Sequence, residues 1–161
     1  MHLNQTKSET AINTTIEHMK RKVALDIGDV RIGVAVSDTL GITANPRETY
    51  VRKGKTFEED IAYFVKYAKT EDADAFVIGL PLNMDGTEGP RVEVTKAFGN
   101  ALKEASGLDI IYVDERLTTV SAENLLISAD VRREKRKTVI DKVAATIILQ
   151  SYLDGVAFRR N

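Results

Sequence analysis

The chain has 161 residues, 23 basic and 24 acidic side chains, and 43% hydrophobic residues. That size suits one domain with its own core, and the charge balance excludes both a disordered polyelectrolyte and a uniformly basic nucleic-acid binder. The absence of Cys removes disulfide, zinc–thiolate, iron–sulfur and cysteine-nucleophile chemistry, while the two His (His2 and His18) lie near the start, away from the body of the chain.

Residues 1–20 are polar, mix both charges and lack the apolar stretch of a signal peptide. They read as an N-terminal extension, poorly structured or weakly helical, before a single domain over residues 21–158. Apolar runs such as Ala75–Leu80 fall far short of the ~18 residues needed to span a bilayer. A cytoplasmic protein with no membrane partner is the expectation.

Val23–Ile27 and Ile32–Val36 are β-rich runs around the turn Gly28-Asp29-Val30-Arg31, which predicts a hairpin. A third extended run is expected around Glu48–Arg52, after the breakers Gly41, Asn45 and Pro46. Phe57, Ile61, Phe64, Val65 and Ala68 then recur at helical spacing, and Thr56 with Glu59 fits a capping box. Ala75–Gly79 reads as a parallel strand buried on both faces. A Pro/Gly/Asn/Asp loop, Leu80–Arg91, leads to a helix that Pro90 opens and Gly107 closes, carrying Val94, Ala97, Phe98, Ala101 and Leu102. Asp109–Val113 is the next strand, and Thr118 or Thr119 caps a helix with Val120, Leu125, Leu126 and Ala129. A charged link, Arg132–Lys137, precedes a last helix over Thr138–Asp154 that Gly155 should stop. Early meander followed by crossover helices implies an α/β fold with a mixed sheet and helices on both faces.

Four places could carry chemistry. Asp26 falls within an apolar strand, where a carboxylate is costly unless it is paired or binds a cation. Gly28 and Gly33 beside it permit close approach of a ligand, although a buried Asp held by hairpin amides would look the same. The loop at Gly79–Gly89 lies past the carboxyl end of a strand and before a helix, where α/β sheets bind ligands; Asn83, Thr87 and Glu88 are its reaching side chains. In Asp114-Glu115-Arg116-Leu117-Thr118-Thr119, strand alternation puts Asp114 on the Ile110/Tyr112 side and Glu115 on the Ile111/Val113 side. Arg116 either binds phosphate or pairs with a neighbouring carboxylate. Asp141 follows Thr138 by three residues, which fits a helix cap, while Ala144 and Ala145 on the same face would let its helix sit close to the sheet. Asp38 is read as the cap of its turn.

Asp26, one of Asp114 and Glu115, and Asp141 are hard oxygen donors from separate elements, a set suited to Mg²⁺ or Mn²⁺. Two such ions about 3.5–4 Å apart can support phosphodiester hydrolysis without any His. Arg132, Arg133, Lys135, Arg136 and Lys137 adjoin the Asp141 helix and could grip a phosphate backbone, while Arg52, Lys53 and Lys55 form another basic cluster; such runs are usually solvated faces.

Ala24–Gly28 with Arg31–Asp38, Gly79–Thr87, Asp114–Thr119, and Ile140–Ala145 with Ile148–Leu153 together resemble, in order, the motifs of the YqgF family. These are the RuvX-type Holliday junction resolvases, also described as pre-16S rRNA nucleases. The resemblance covers nearly all of residues 22–155. It implies an RNase H-like, five-stranded mixed sheet ordered 3-2-1-4-5 and metal-dependent hydrolysis of nucleic acid. It implies catalysis and metal binding by Asp26, Glu115 and Asp141, with Asp114 as the substitute for Glu115. Asp26 would then be shared by two ions, and the task would be maturation of the 5′ end of 16S rRNA, with branched DNA as the alternative substrate. Arg31, Asn83, Thr87, Arg116, Arg133, Arg136 and Lys137 are the expected substrate contacts, in a monomer or homodimer. Val30 stands where the family often has a basic residue, and the segment before Met19 has no counterpart in the motifs. Sugar-kinase and actin-type ATPases use a similar sheet but in two copies, and this chain has room for one. A non-catalytic binding module on the same fold is the remaining rival.

Overall fold

The structure is a computed structural model that describes residues 20–116 and 133–160. Five strands and three helices follow in the order β1 (Arg21–Ile27), β2 (Arg31–Ser37), β3 (Ala44–Val51), α1 (Phe57–Thr70), β4 (Ala73–Leu80), α2 (Pro90–Ser106), β5 (Asp109–Asp114) and α3 (Arg133–Arg160). The sheet order is β3-β2-β1-β4-β5. β1 pairs antiparallel with β2, with Asp26 opposite Gly33, and parallel with β4, with Leu25 beside Ile78. The hairpin turn is closed by the Gly28 N–H, which donates to the Arg31 carbonyl at 2.9 Å.

Side-chain alternation divides the sheet into two faces. Val23, Leu25, Ile27, Ile32, Val34, Val36, Phe76 and Ile78 meet Phe64 of α1 and Phe98 and Leu102 of α2. Full burial of each large side chain there stabilises the fold by roughly 1.5–3 kcal/mol. The opposite face is made of small residues, Ala24, Ala35 and Val77, and receives Ala145, Ile148, Leu149 and Leu153 of α3. Gln150 ties α3 to the β2–β3 connection, accepting from the Ala44 N–H at 2.9 Å and donating to the Ile42 carbonyl at 2.9 Å.

The capping box at α1 forms as expected, with Thr56 accepting from the Glu59 N–H and Glu59 accepting from the Thr56 N–H. Gly107 ends α2 in the left-handed region, at φ 72°. Asp38 caps its turn, accepting from the Ile42 and Thr43 N–H groups. Three boundaries differ from the sequence reading. β3 starts at Ala44 and runs through Pro46, which is tolerated because β3 is an edge strand and Pro46 sits where the β2–β3 register shifts. α3 already includes Arg133–Lys137, expected to be a link, since Lys, Arg and Glu are good helix formers. α3 also passes through Gly155, because a helical glycine costs only about 1 kcal/mol against alanine, less than the packing of neighbours such as Leu153 is worth. The extension over residues 1–19 and the helix expected after Thr118 or Thr119 lie outside the described residues.

Candidate active site

The small-residue face is what brings the acidic side chains together. A Cβ on Gly33 would lie 1.9 Å from the Asp141 carbonyl oxygen, so α3 rests directly on the β2 backbone. The close approach that Gly33 permits is therefore made by the protein's own helix rather than by a ligand, and it delivers Asp141 to the strand pair carrying Asp26. Gly79, next along β4 from the residue that pairs with Leu25, provides a second space. A Cβ there would lie 2.4 Å from Glu115 Oε2 and 2.5 Å from Ile148 Cδ1, so the Glu115 carboxyl occupies the place of the missing side chain. The Glu115 N–H donates to the Leu80 carbonyl at 3.2 Å, fixing the residue just past β5.

Asp26 is consequently a half-buried acid facing another acid. Its pKa is pushed up to about 8, first by burial, then by the charge and hydrogen bond of Glu115, then by the charge of Asp141; Arg91 opposes the shift. Burial also raises Glu115, against the pull of its hydrogen bond with Asp26 and of the Arg91 charge. The two carboxyls thus share a proton, held on Asp26 and donated to Glu115.

Asp114 goes the other way. It is exposed, accepts from Arg116 Nε at 2.8 Å and pairs with Arg116 Nη2 at 2.7 Å, and these bonds hold its carboxyl below the usual range. Asp141 pairs with Arg31, Nε to Oδ2 at 2.8 Å. Its Coulombic effect reaches Asp26, yet among the described residues no three acidic or His side chains stand close enough to hold a metal ion together. Asp26 and Glu115 are in hydrogen-bond contact, and Asp141 acts on Asp26 through its charge.

The remaining sequence candidates divide by position. Asn83 and Thr87 brace their own loop: Asn83 Nδ2 donates to Thr87 Oγ1 at 2.9 Å, and the Thr87 hydroxyl donates to Asp85 Oδ1 at 2.6 Å. Arg116, besides holding Asp114, reaches the Met84 carbonyl from below the same loop. The backbones of Arg133, Arg136 and Lys137 are helical, and their side chains lie outside the described residues, as do Leu117–Thr119. Arg52, read as part of a basic cluster, points inward, bonding Asp60 at 2.9 Å and the Gly28 carbonyl at 2.8 Å. Arg91 was not singled out in the sequence. It stands in the first turn of α2, pairs with Asp29 at 3.0 Å, and is the cation that offsets the charge of both Asp26 and Glu115. Its position after Pro90, at the helix start facing the strand ends, was the available signal.

Comparison with known proteins gives the family of the chain. A family model described as RuvX, Holliday junction resolvase, matches residues 20–155. The chain belongs to the RuvX family. A relative from Clostridium beijerinckii is 48% identical over 137 residues, covering 85% of this chain and 98% of the relative. One from Streptococcus thermophilus is 50% identical over 135 residues, covering 83% and 97%. Both carry the name "Putative pre-16S rRNA nuclease". Among solved structures, the RuvX chain shares its fold with Thermus thermophilus RuvC in complex with a Holliday junction substrate, at TM-score 0.56 and 9% identity over 86% of this chain and 96% of that one. It also resembles the large terminase nuclease of phage G20c, at TM-score 0.50 and 12% identity over 83% and 81%. The RuvX fold is the RNase H-like arrangement, as the sheet order alone suggests. Among the described residues no helix is long and apolar enough to cross a membrane.

Proposed function

We propose that this RuvX chain is a divalent-cation-dependent nuclease that hydrolyses phosphodiester bonds in structured RNA, processing the 5′ end of pre-16S rRNA in the cytoplasm. The observation that carries the reading is the Asp26–Glu115 pair, two carboxyls in hydrogen-bond contact at the ends of β1 and β5, Glu115 lying against Gly79 and the charge of Asp141 acting on Asp26. Structural acids are normally paired with cations or amides; a pair of acids held against each other is the mark of a candidate functional site. Relatives at about half identity that are named for pre-16S rRNA support the substrate.

The donor set fits Mg²⁺ or Mn²⁺, hard cations that take carboxylate oxygens and displace protons from them. Asp26 and Glu115 would hold the ion, with Asp141 completing the set once it leaves Arg31; a two-ion arrangement would share Asp26. When bound, the cation supplies a polarised phosphoryl group and an acidified water. The chain does the rest. Asp26 and Glu115 give up their shared proton, Glu115 is kept in register by its N–H bond to Leu80, and Arg91 offers positive charge to the incoming phosphate. Gly79 keeps the acid pair in contact, and α3 closes the back of the site through Gly33.

A second reading, cleavage of four-way DNA junctions, is favoured by the description of the matching family. Both substrates present phosphodiesters to the same acids. The test is a side-by-side assay of a 5′-extended 16S precursor and a four-way junction with wild type, Asp26→Asn and Glu115→Gln, in Mg²⁺, Mn²⁺ or EDTA. The expected result is precursor cleavage that EDTA abolishes and that each variant lowers at least about 100-fold, or roughly 2.7 kcal/mol of barrier. Preference for the junction would establish the second reading. Equal cleavage by wild type and Asp26→Asn would overturn both, and binding without cleavage would point to a non-catalytic module.

A further inference from the structure

Arg31 is paired with Asp141, the third acid of the candidate site. Its Nε donates to Asp141 Oδ2 at 2.8 Å, and both side chains are partly exposed, at 38% and 20%. The backbone of Asp141 is seated on the sheet: its carbonyl rests against Gly33, and Ala145, Ile148 and Leu149 pack the helix against Ala24, Ala35 and Val77. Arg31 is equally anchored: it opens β2, pairs with Val51, and its own carbonyl accepts the hairpin bond from Gly28. Two fixed backbones therefore hold an ion pair at the third corner of the acidic site. That pair leaves Asp26 and Glu115 as a set of two, consistent with the lack of a three-acid group among the described residues.

We propose that Arg31 is a positioning residue, a built-in placeholder cation that neutralises Asp141 and must be displaced before Asp141 can join Asp26 and Glu115 around a divalent ion. The inference rests on the metal-dependent reading above. A carboxylate that is competent only when free of its partner binds a metal more weakly by the fraction of time it is free. The pair thus sets a threshold for cation binding, while it offsets the charge of Asp141 beside the acid pair. Displacement is feasible because the part-buried pair keeps access to water and a divalent ion gains more from the same oxygen than one guanidinium does. The freed guanidinium, still anchored at the start of β2, would remain beside the site as a donor for a phosphate oxygen.

The test is Mn²⁺ binding, followed by the electron paramagnetic resonance of free Mn²⁺, for full-length wild type, Arg31→Gln, Asp26→Asn, Asp141→Asn and the double variant Arg31→Gln/Asp141→Asn. Wild-type binding should be weakened by Asp26→Asn. Arg31→Gln should bind about three- to tenfold more tightly than wild type, and a fixed Mn²⁺ concentration should raise its Tm by more. The tightening should vanish when Asp141→Asn is the background. Tighter binding is a gain that damage to the fold would not produce. Binding that weakens or does not change in Arg31→Gln overturns the placeholder while leaving the metal site standing. Tightening that persists in the Asp141→Asn background assigns Arg31 a general Coulombic effect and also overturns it. Mn²⁺ binding that ignores Asp26→Asn overturns the metal-dependent reading itself, and the placeholder with it.

Discussion

Gly33 of β2 and Asp141 of α3 are in backbone contact: a single methyl group on Gly33 would coincide with the Asp141 carbonyl, 1.9 Å away. Neither atom belongs to a flexible side chain, so Gly33→Ala must push α3 off the sheet. Overpacking of this kind costs about 1–3 kcal/mol or more. Because the shift moves Asp141 relative to Asp26, Mn²⁺ affinity should fall as well. Urea denaturation and Mn²⁺ titration check both effects; a variant with unchanged stability would show that α3 does not rest on Gly33.

Gly79→Ala is the contrasting case. The atoms it would strike are the ends of Glu115 and Ile148, which can turn away. Stability should change by less than about 1.5 kcal/mol, while cleavage and Mn²⁺ binding both drop sharply because Glu115 is forced away from Asp26. If Gly79→Ala retains full activity, the contact between the two acids is not needed.

In metal-free buffer Asp26 keeps its proton up to about pH 8, against an ordinary value of 3.8. Between those limits the folded protein binds more protons than the unfolded chain, so stability is fully present below about pH 4 on this account and is lost as pH rises through 8. Relative to Asp26→Asn, which cannot titrate, the wild-type Tm in EDTA should fall progressively across that window. Melting curves at a series of pH values make the comparison, and parallel profiles would refute the shared proton.

Metal binding must remove that same proton. Titration with Mn²⁺ near pH 7 should release close to one proton per site in wild type and markedly less in Asp26→Asn. Calorimetry in buffers of different ionisation enthalpy gives the count directly. Release that is equal in the two proteins would place the displaced proton elsewhere.

What the sequence could and could not disclose follows from where the information lies. Strand alternation alone put Glu115 on the Ile111/Val113 side, the face that α3 covers, and Asp114 on the other. An acid inside the apolar run Val23–Ile27 was conspicuous for its cost. The capping box of α1 and the left-handed stop at Gly107 are local chemistry, legible in a few residues. The glycines were legible only as glycines. That Gly33 receives a helix and Gly79 a carboxylate depends on elements more than 30 residues distant in the chain, which no local pattern encodes. Arg91 and Arg52 exchange expectations for the same reason. A surface-like arginine at a helix start acts on the acid pair, whereas the one in a basic run is drawn inward by Asp60. Pro46 and Gly155 are local breakers overruled by edge position and helix packing.

Asp60 illustrates a buried acid of the structural kind, with every oxygen answered. It is 1% exposed, accepts from the Tyr50 hydroxyl at 2.8 Å and from Arg52 Nε at 2.9 Å, and Arg52 in turn donates to the Gly28 carbonyl of the hairpin turn at 2.8 Å. The charge of Asp60 therefore reaches the turn behind Asp26 through one arginine. Asp60→Asn leaves Arg52 half-buried without its carboxylate, a loss of about 3–5 kcal/mol for a buried pair. Tyr50→Phe removes one neutral donor from an acid that keeps its arginine, and should cost about 1–2 kcal/mol. Combined, the two substitutions should cost less than their sum, because both act on one carboxyl group. Denaturant titrations of the four proteins supply the cycle; strict additivity would mean that the Tyr50 hydroxyl does not couple to the Asp60 carboxyl.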